Sequence, residues 1–167
     1  MDFKPHARHL LDTARQYTLK QLAQLTQPED WVYRPTPNAN HALWMVGHLA
    51  IADNRFATRF REATHNVPDG YEAMFWIGTE CQSSLDAYPA VDEVRAYMDE
   101  RRENLLRVLD EVTEEEIAAP LPAMDPASPM ATAPNLGHYF FYGAAHEMIH
   151  AGQLSVCCRG LGHAPLR

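Results

Sequence analysis

The spacing of apolar side chains along the chain predicts four long helices and no β-strand. In the first predicted helix, from Pro5 to about Gln27, apolar residues recur three and four positions apart, which is the repeat of one helix face. Pro5 suits a first helical turn because its missing N–H is not needed there, and Pro28 ends the helix. The apolar stripe consists of Leu10, Leu11, Ala14, Tyr17, Thr18, Leu22 and Leu25.

Two further helices follow the same pattern. The second is predicted from about Ala39 to Thr64, with Asn38 or Asn40 as its N-cap. Its stripe contains Leu43, Val46, Leu49, Ala50, Asp53, Phe56, Ala57 and Phe60. The third is predicted from about Ala90 to Glu111. Its stripe contains Val94, Tyr97, Met98, Arg101, Leu105, Val108, Leu109 and Val112.

The C-terminal third predicts a short helix, a loop and the last long helix. Thr113 and Glu116 match a capping box for a short helix that Pro120 stops. Residues 119–134 contain five prolines, which predicts a long loop. The last helix is predicted to begin near Pro134 or Asn135 and to end at the glycines of 160–162.

These elements predict one all-α domain over residues 1–167, folded as a bundle of four main helices. Residues 65–90 open with turn chemistry around Pro68, Asp69 and Gly70, and their pattern does not assign them to regular elements.

Charge and hydropathy argue against a nucleic-acid-binding protein and against a membrane-spanning one. The net charge of −8, from 14 basic and 22 acidic residues, argues against a nucleic-acid-binding surface. No apolar run approaches the roughly 20 residues that span a bilayer. The first residues, MDFKPHARHLLD, lack the apolar core of a signal peptide. We therefore expect a cytoplasmic protein without a membrane partner.

The stretch HEMIH on the last predicted helix carries the main chemical signal. His146 and His150 are four residues apart, so both imidazoles lie on one helix face and can reach one ion. Such a pair also arises by chance on ordinary helices. His48 lies in the apolar second helix beside Gly47, which lets another backbone approach. If the two helices are neighbours, the three histidines form a metal site, and otherwise His48 is a core residue.

HEMIH also matches the zinc-protease pattern H-E-x-x-H, but the rest of that signature is missing. Val156 stands where a metzincin has its third histidine, and residues 151–167 contain no Asp or Glu to replace it. No edge strand is predicted that would hold a peptide substrate. A protease is therefore disfavoured, and Glu147 is open to three interpretations: a solvated helix residue, a carboxylate beside the metal site, or a general base.

Two stretches together resemble the DinB-like family. HALWMVGHLAIADNRF is similar to that family's second-helix motif, and HEMIHAGQLSVCCRGLGHAPL is similar to its last-helix motif. The resemblance implies an up-down-down-up four-helix bundle, often a homodimer, with zinc or nickel held by three histidines. By position these are His48, His146 and His150. Ala151 is a departure, because many relatives have arginine there.

The resemblance also implies an activity. Family members of known activity use low-molecular-weight thiols such as mycothiol or bacillithiol, as transferases or isomerases in detoxification and stress response. We therefore expect a metal-dependent transfer of a thiol to a small electrophilic substrate. Two alternatives stay open: a metal-dependent hydrolase with Glu147 as base, and a non-catalytic metal-binding dimerisation module.

Aromatic residues near the histidines are candidates for substrate binding. Trp44 lies one turn before His48 and could form a wall of the site, although core packing is the more common role of such a residue. Tyr139 and Tyr142 lie one turn or more before His146 and could present their hydroxyls to a ligand, although such an aromatic group more often packs in the core.

Overall fold

The computed structural model describes residues 2–166, and this part of the chain is helical with no strand. Four long helices form the body: α1 (Phe3–Leu22), α2 (Ala42–Thr58), α4 (Val91–Glu111) and α6 (His138–Gly160). Two short helices, α3 (Tyr71–Phe75) and α5 (Glu114–Ala118), lie in the connections, together with 3₁₀ turns at Pro28–Val32, Glu62–Thr64 and Leu85–Ala87. No helix within 2–166 combines the length and apolar character needed to cross a membrane.

The second helix is shorter than its apolar pattern predicts. It begins at Ala42 because the His41 ring, and neither Asn38 nor Asn40, accepts the backbone N–H of Trp44 as N-cap. It ends at Thr58, not Thr64, where the Thr58 hydroxyl donates to the carbonyl of Arg55. Such side-chain bonds compete with the helical pattern, and a separate 3₁₀ turn follows.

The third helix and the capping box of the short helix are confirmed. The last helix begins at His138, three residues later than expected from Asn135. The residues before it are not helical, because Leu136 and Gly137 donate their N–H groups to the carbonyls of Ala119 and Ile117 at the end of α5. The helix ends at Gly160 as predicted. The unassigned region 65–90 contains α3 and one 3₁₀ turn.

Contacts at the ends of the helices set their directions. The Phe3 and Phe140 rings, at the starts of α1 and α6, lie 6.3 Å apart between centroids. At the other ends of these helices, the Cys158 thiol lies 3.5 Å from the carbonyl oxygen of Gln21. Helices α1 and α6 are therefore parallel.

The other two long helices run the opposite way. Lys4, near the start of α1, donates to the carbonyl of Asp110 near the end of α4 at 2.7 Å. Phe56, near the end of α2, packs on Tyr139 near the start of α6 with ring centroids 5.9 Å apart. Helices α2 and α4 are thus antiparallel to α1 and α6, which is the up-down-down-up order.

Helix α2 is the central element of the bundle. Most of its residues are buried, including polar ones, because α3, α4 and α6 all pack against it. Apolar character on every side is typical of a helix without a solvent face. A histidine on α2 is therefore placed in the protein interior.

Four charged side chains form a buried cluster in the middle of the bundle, one from each long helix. Arg15 Nε donates to Glu147 at 2.7 Å and Arg15 Nη2 to Asp53 at 3.2 Å. Arg102 donates to both oxygens of Asp53, at 2.9 and 3.1 Å, and also to Glu147. Asp53 therefore pairs with arginines of two other helices. Two positive and two negative charges make these four buried groups neutral, and Arg15 also contacts the exposed carboxylate of Asp99 at 3.3 Å.

We predict that Arg102→Met lowers the free energy of unfolding by about 3–5 kcal/mol, because it leaves two buried carboxylates with one guanidinium. Urea denaturation followed by circular dichroism measures this change. Arg107→Ala breaks exposed contacts with Glu111 and Asn104, so that control should lose less than about 1 kcal/mol. Equal losses in the two variants would contradict a structural role for the cluster.

Candidate metal centre

Three histidines from two helices converge on one point. Nε2 of His146 lies 3.2 Å from Nε2 of His48 and 3.2 Å from Nε2 of His150. The three candidate ligand atoms all lie within 4.8 Å of one another. Two nitrogens that bind one tetrahedral ion at 2.0–2.1 Å are about 3.3 Å apart, so the spacing fits a divalent metal. The structure thus brings together the three histidines that the sequence singled out.

Hydrogen bonds at the far side of two rings point their Nε2 lone pairs inward. His48 Nδ1 lies 3.0 Å from the carbonyl oxygen of Phe75, which can only accept, so Nδ1 carries the proton. His150 Nδ1 lies 2.8 Å from the side-chain oxygen of Gln153, which also can only accept, so this Nδ1 carries the proton as well. Partners of this kind orient ligand histidines in metal sites. Nδ1 of His146 is buried and has no partner among residues 2–166, and its ring packs against Phe56 and Tyr142.

Burial keeps these imidazoles neutral, which is the form that binds a metal. Desolvation, with a smaller contribution from neighbouring His150, lowers the pKa of His48 to about 4. The pKa of His146 falls to about 3 for the same reason, with charge repulsion from both other histidines added. Burial also lowers the pKa of His150. All three groups therefore offer a lone pair near pH 7.

Gly47 makes the His48 contact possible. A Cβ at this position would lie 2.4 Å from Cγ of the Phe75 ring, so only glycine lets the end of α3 pack directly on α2. That packing brings the Phe75 carbonyl to His48. The sequence predicted that Gly47 lets another backbone approach, and the structure differs in that the close neighbour is the side-chain ring of Phe75, at the end of α3.

Trp44 packs against His48, one of the candidate metal ligands. Its ring stacks on His48 with centroids 4.7 Å apart and planes 12° from parallel, and its Nε1 donates to the Thr79 hydroxyl at 2.8 Å. Trp44 is buried, so it is a core residue that also orients a candidate ligand. It contacts the histidine, whereas the pocket beside the site is lined by other side chains.

A pocket of about 180 Å³ opens onto His48 and His146. Tyr142 lines it, and so does Phe56 of the predicted apolar stripe. The part of the wall that helical periodicity did not identify comes from the connections, where the aromatic pair FW in the unassigned region 65–90 was a signal for Trp76 alone. The other lining residues are Ala52, Arg59, Ile77, Ser128, Pro129, Met130 and Tyr139.

The position of Glu147 argues against its interpretation as a general base. Its side chain is fully buried, and both carboxylate oxygens accept hydrogen bonds from Arg15 and Arg102. Burial alone would raise the pKa of Glu147, but the two guanidinium charges outweigh it and lower the pKa. The carboxylate is therefore a fixed anion in the core, beside the metal-ligand candidates, and is not a solvated helix residue.

Comparison with known protein families agrees with the motifs. The family model described as DinB superfamily matches residues 10–154, most of the chain. The chain belongs to the DinB superfamily. The matched range of this DinB protein includes His48, His146 and His150. No curated protein and no solved structure gives a significant match.

We predict that purified, untagged protein carries about one zinc or nickel ion per chain, and that His48→Ala and His150→Ala each abolish this metal content. Removal of one of three imidazoles leaves too few ligands for a stable site. Plasma mass spectrometry measures the metal-to-protein ratio.

His138→Ala is the matched control, because His138 lies at the start of the same helix and contacts Asn135 outside the cluster. Loss of metal in this control, or full metal content in both ligand variants, would place the metal elsewhere.

Proposed function

We propose that this DinB superfamily protein is a metal-dependent enzyme that transfers a low-molecular-weight thiol to a small electrophile. The observation that supports the proposal is the convergence of three neutral imidazoles beside an aromatic pocket. Zinc or nickel would be held by His48, His146 and His150. We place the activity in the cytoplasm, where such thiols are kept reduced.

A bound divalent ion would supply Lewis acidity that lowers the pKa of a thiol, so that a thiolate is available at neutral pH. His48 and His146 line the pocket, so the open side of the site faces the space where a substrate would bind. The rings of Phe56, Trp76 and Tyr142 cover that space with apolar surface. They exclude water and favour an apolar electrophile.

The cysteines of the chain support an external thiol as nucleophile. None of the three lines the pocket beside the histidines, and all three are buried. Burial raises the pKa of Cys157 to about 11 and also raises the pKa values of Cys81 and Cys158. A protein thiolate at neutral pH is therefore disfavoured, and the reacting thiol must enter from solution.

The two alternatives have less support. A hydrolase would need a base for the attacking water, and Glu147 is engaged by two arginines. A purely structural metal site is usually closed by four protein ligands. Here three histidines converge and a pocket opens onto two of them.

We predict that zinc- or nickel-loaded protein accelerates conjugation of a low-molecular-weight thiol with an aryl halide or epoxide, and that His48→Ala abolishes this acceleration. Removal of a ligand removes the ion that would lower the thiol pKa. Product formation is measured by chromatography with and without the thiol, and His138→Ala should retain the rate. Turnover without thiol would favour the hydrolase, and one tightly bound metal without any turnover would favour the non-catalytic module.

We also propose that the chain forms a homodimer through the outer face of α6. Met148, Ile149 and Val156 are exposed there, at 43%, 59% and 53%. Gly152 lies between them with open space above it, which allows close approach of a second helix. The exposed positions from 145 to 156 carry no charge, so two chains of net charge −8 can meet there without repulsion at the contact.

We predict that Ile149→Glu converts the dimer to a monomer, because two buried carboxylates would face each other across the symmetry axis. Light scattering coupled to size exclusion should change from twice the chain mass of 18.9 kDa to once that mass. Leu10→Glu, at an exposed apolar position on α1, is the control and should stay dimeric. Monomeric wild-type protein, or dissociation caused by the control alone, would reject this face.

A further inference from the structure

The pocket beside the histidines has a positive charge at its far end. Arg59 follows the last residue of α2, and its guanidinium carbon lies 5.5 Å from the centroid of the Tyr139 ring. Tyr139 precedes His146 by seven residues on α6, which is about 10 Å along the helix. The pocket therefore runs from the histidine cluster at one end to a guanidinium at the other.

Arg59 is free to bind an anion. Within residues 2–166 its exposed guanidinium lies over the Tyr139 ring but makes no ion pair and no hydrogen bond. Its neighbour Arg55 is already engaged, since it donates to Glu72 at 2.8 Å and stacks on Trp76 at 4.0 Å. Glu62 borders the adjoining surface depression but forms no ion pair with Arg59. The chain has 22 acidic and 14 basic residues, so a guanidinium without an acidic partner is unexpected. At the mouth of a pocket, such a group is a candidate for binding an anion.

The space between the two ends suits a small flat molecule. Its volume of about 180 Å³ is below the ~300 Å³ at which drug-sized ligand pockets begin. Phe56, Trp76 and Tyr142 line it with ring faces and edges. Ile77 is 70% exposed at the rim, and Met130 of the proline-rich loop is buried against the pocket.

We infer that Arg59 is a specificity-determining residue that binds the carboxylate of a small, flat, apolar acid. The planar guanidinium fork matches a carboxylate in two parallel hydrogen bonds. The other end of such an acid reaches the histidine cluster, where its electrophilic carbon would lie. The inference rests on the proposed function, because it names the substrate class of the same site.

Isothermal titration with trans-cinnamate and its neutral amide, cinnamamide, tests the inference. We expect wild-type protein to bind cinnamate at least tenfold more tightly than the amide, and Arg59→Gln to remove that difference. Arg59→Lys should keep part of it, because the charge remains while the fork is lost. Since zinc itself binds carboxylates, both zinc-loaded and chelator-treated protein are titrated, and the preference due to Arg59 should persist in both.

Arg107→Gln is the matched control, because it removes the same charge from an exposed site on α4 where Arg107 pairs with Glu111. An unchanged preference in Arg59→Gln, a loss of preference in the control, or the absence of cinnamate binding by wild-type protein would overturn the inference. Tighter binding of phenylphosphonate than of cinnamate would overturn the choice of a carboxylate.

The two proposals fail in different ways. Binding of cinnamate through Arg59 without thiol conjugation would leave this inference standing and reject the enzyme. Conjugation of neutral electrophiles, together with an unchanged preference for cinnamate in Arg59→Gln, would support the enzyme and reject this inference.

Discussion

The buried cluster of Arg15, Asp53, Arg102 and Glu147 is the constraint on which the rest of the structure depends. Each long helix contributes one member, and an unpaired charge at this depth would cost several kcal/mol. The cluster is neutral only when the four helices have one particular register. It separates two apolar cores, with residues such as Ile51 and Leu154 on one side and residues such as Ala57 and Ala144 on the other. Apolar packing alone tolerates sliding of helices, whereas this pairing does not.

The same register determines where the histidines meet. Asp53 follows His48 by five residues on α2, and Glu147 lies between His146 and His150 on α6. Arg102 donates hydrogen bonds to Asp53 on α2 and to Glu147 on α6, and this fixes the position of α2 along the axis of α6. In this register the three imidazoles lie within reach of one ion. The carboxylates also cancel the arginine charges, so the cluster does not repel a cation bound one layer away. Glu147 of the H-E-x-x-H pattern therefore supports this site by its position in the core, which is a different role from the one it has in zinc proteases.

Much of this could be predicted from the sequence, because the signals were local. Helical periodicity identified the long helices, and the spacing of His146 and His150 placed them on one face whatever their neighbours. His48 was a candidate from its place in the apolar second helix, but only the family motif implied that it joins the other two. Charged residues within apolar stripes, such as Asp53, were the visible sign of the ion cluster, but periodicity does not say which charges pair. Glu147 was ambiguous for that reason, since its burial depends on Arg15 and Arg102 from distant parts of the chain.

The pocket was least predictable because its outer walls come from connections. Trp76 and Ile77 follow a five-residue helix, and Met130 lies in the proline-rich loop, so neither a period nor a motif marks them. The ligand set and the ion cluster belong to rigid helices, whereas the surface that would contact a substrate is shared between helix residues such as Tyr142 and these loops. Loops tolerate substitution better than packed helices do. A bundle of this kind can therefore keep one metal site while its connections select different substrates, and specificity has to be argued from residues such as Arg59 and Trp76 of the individual chain.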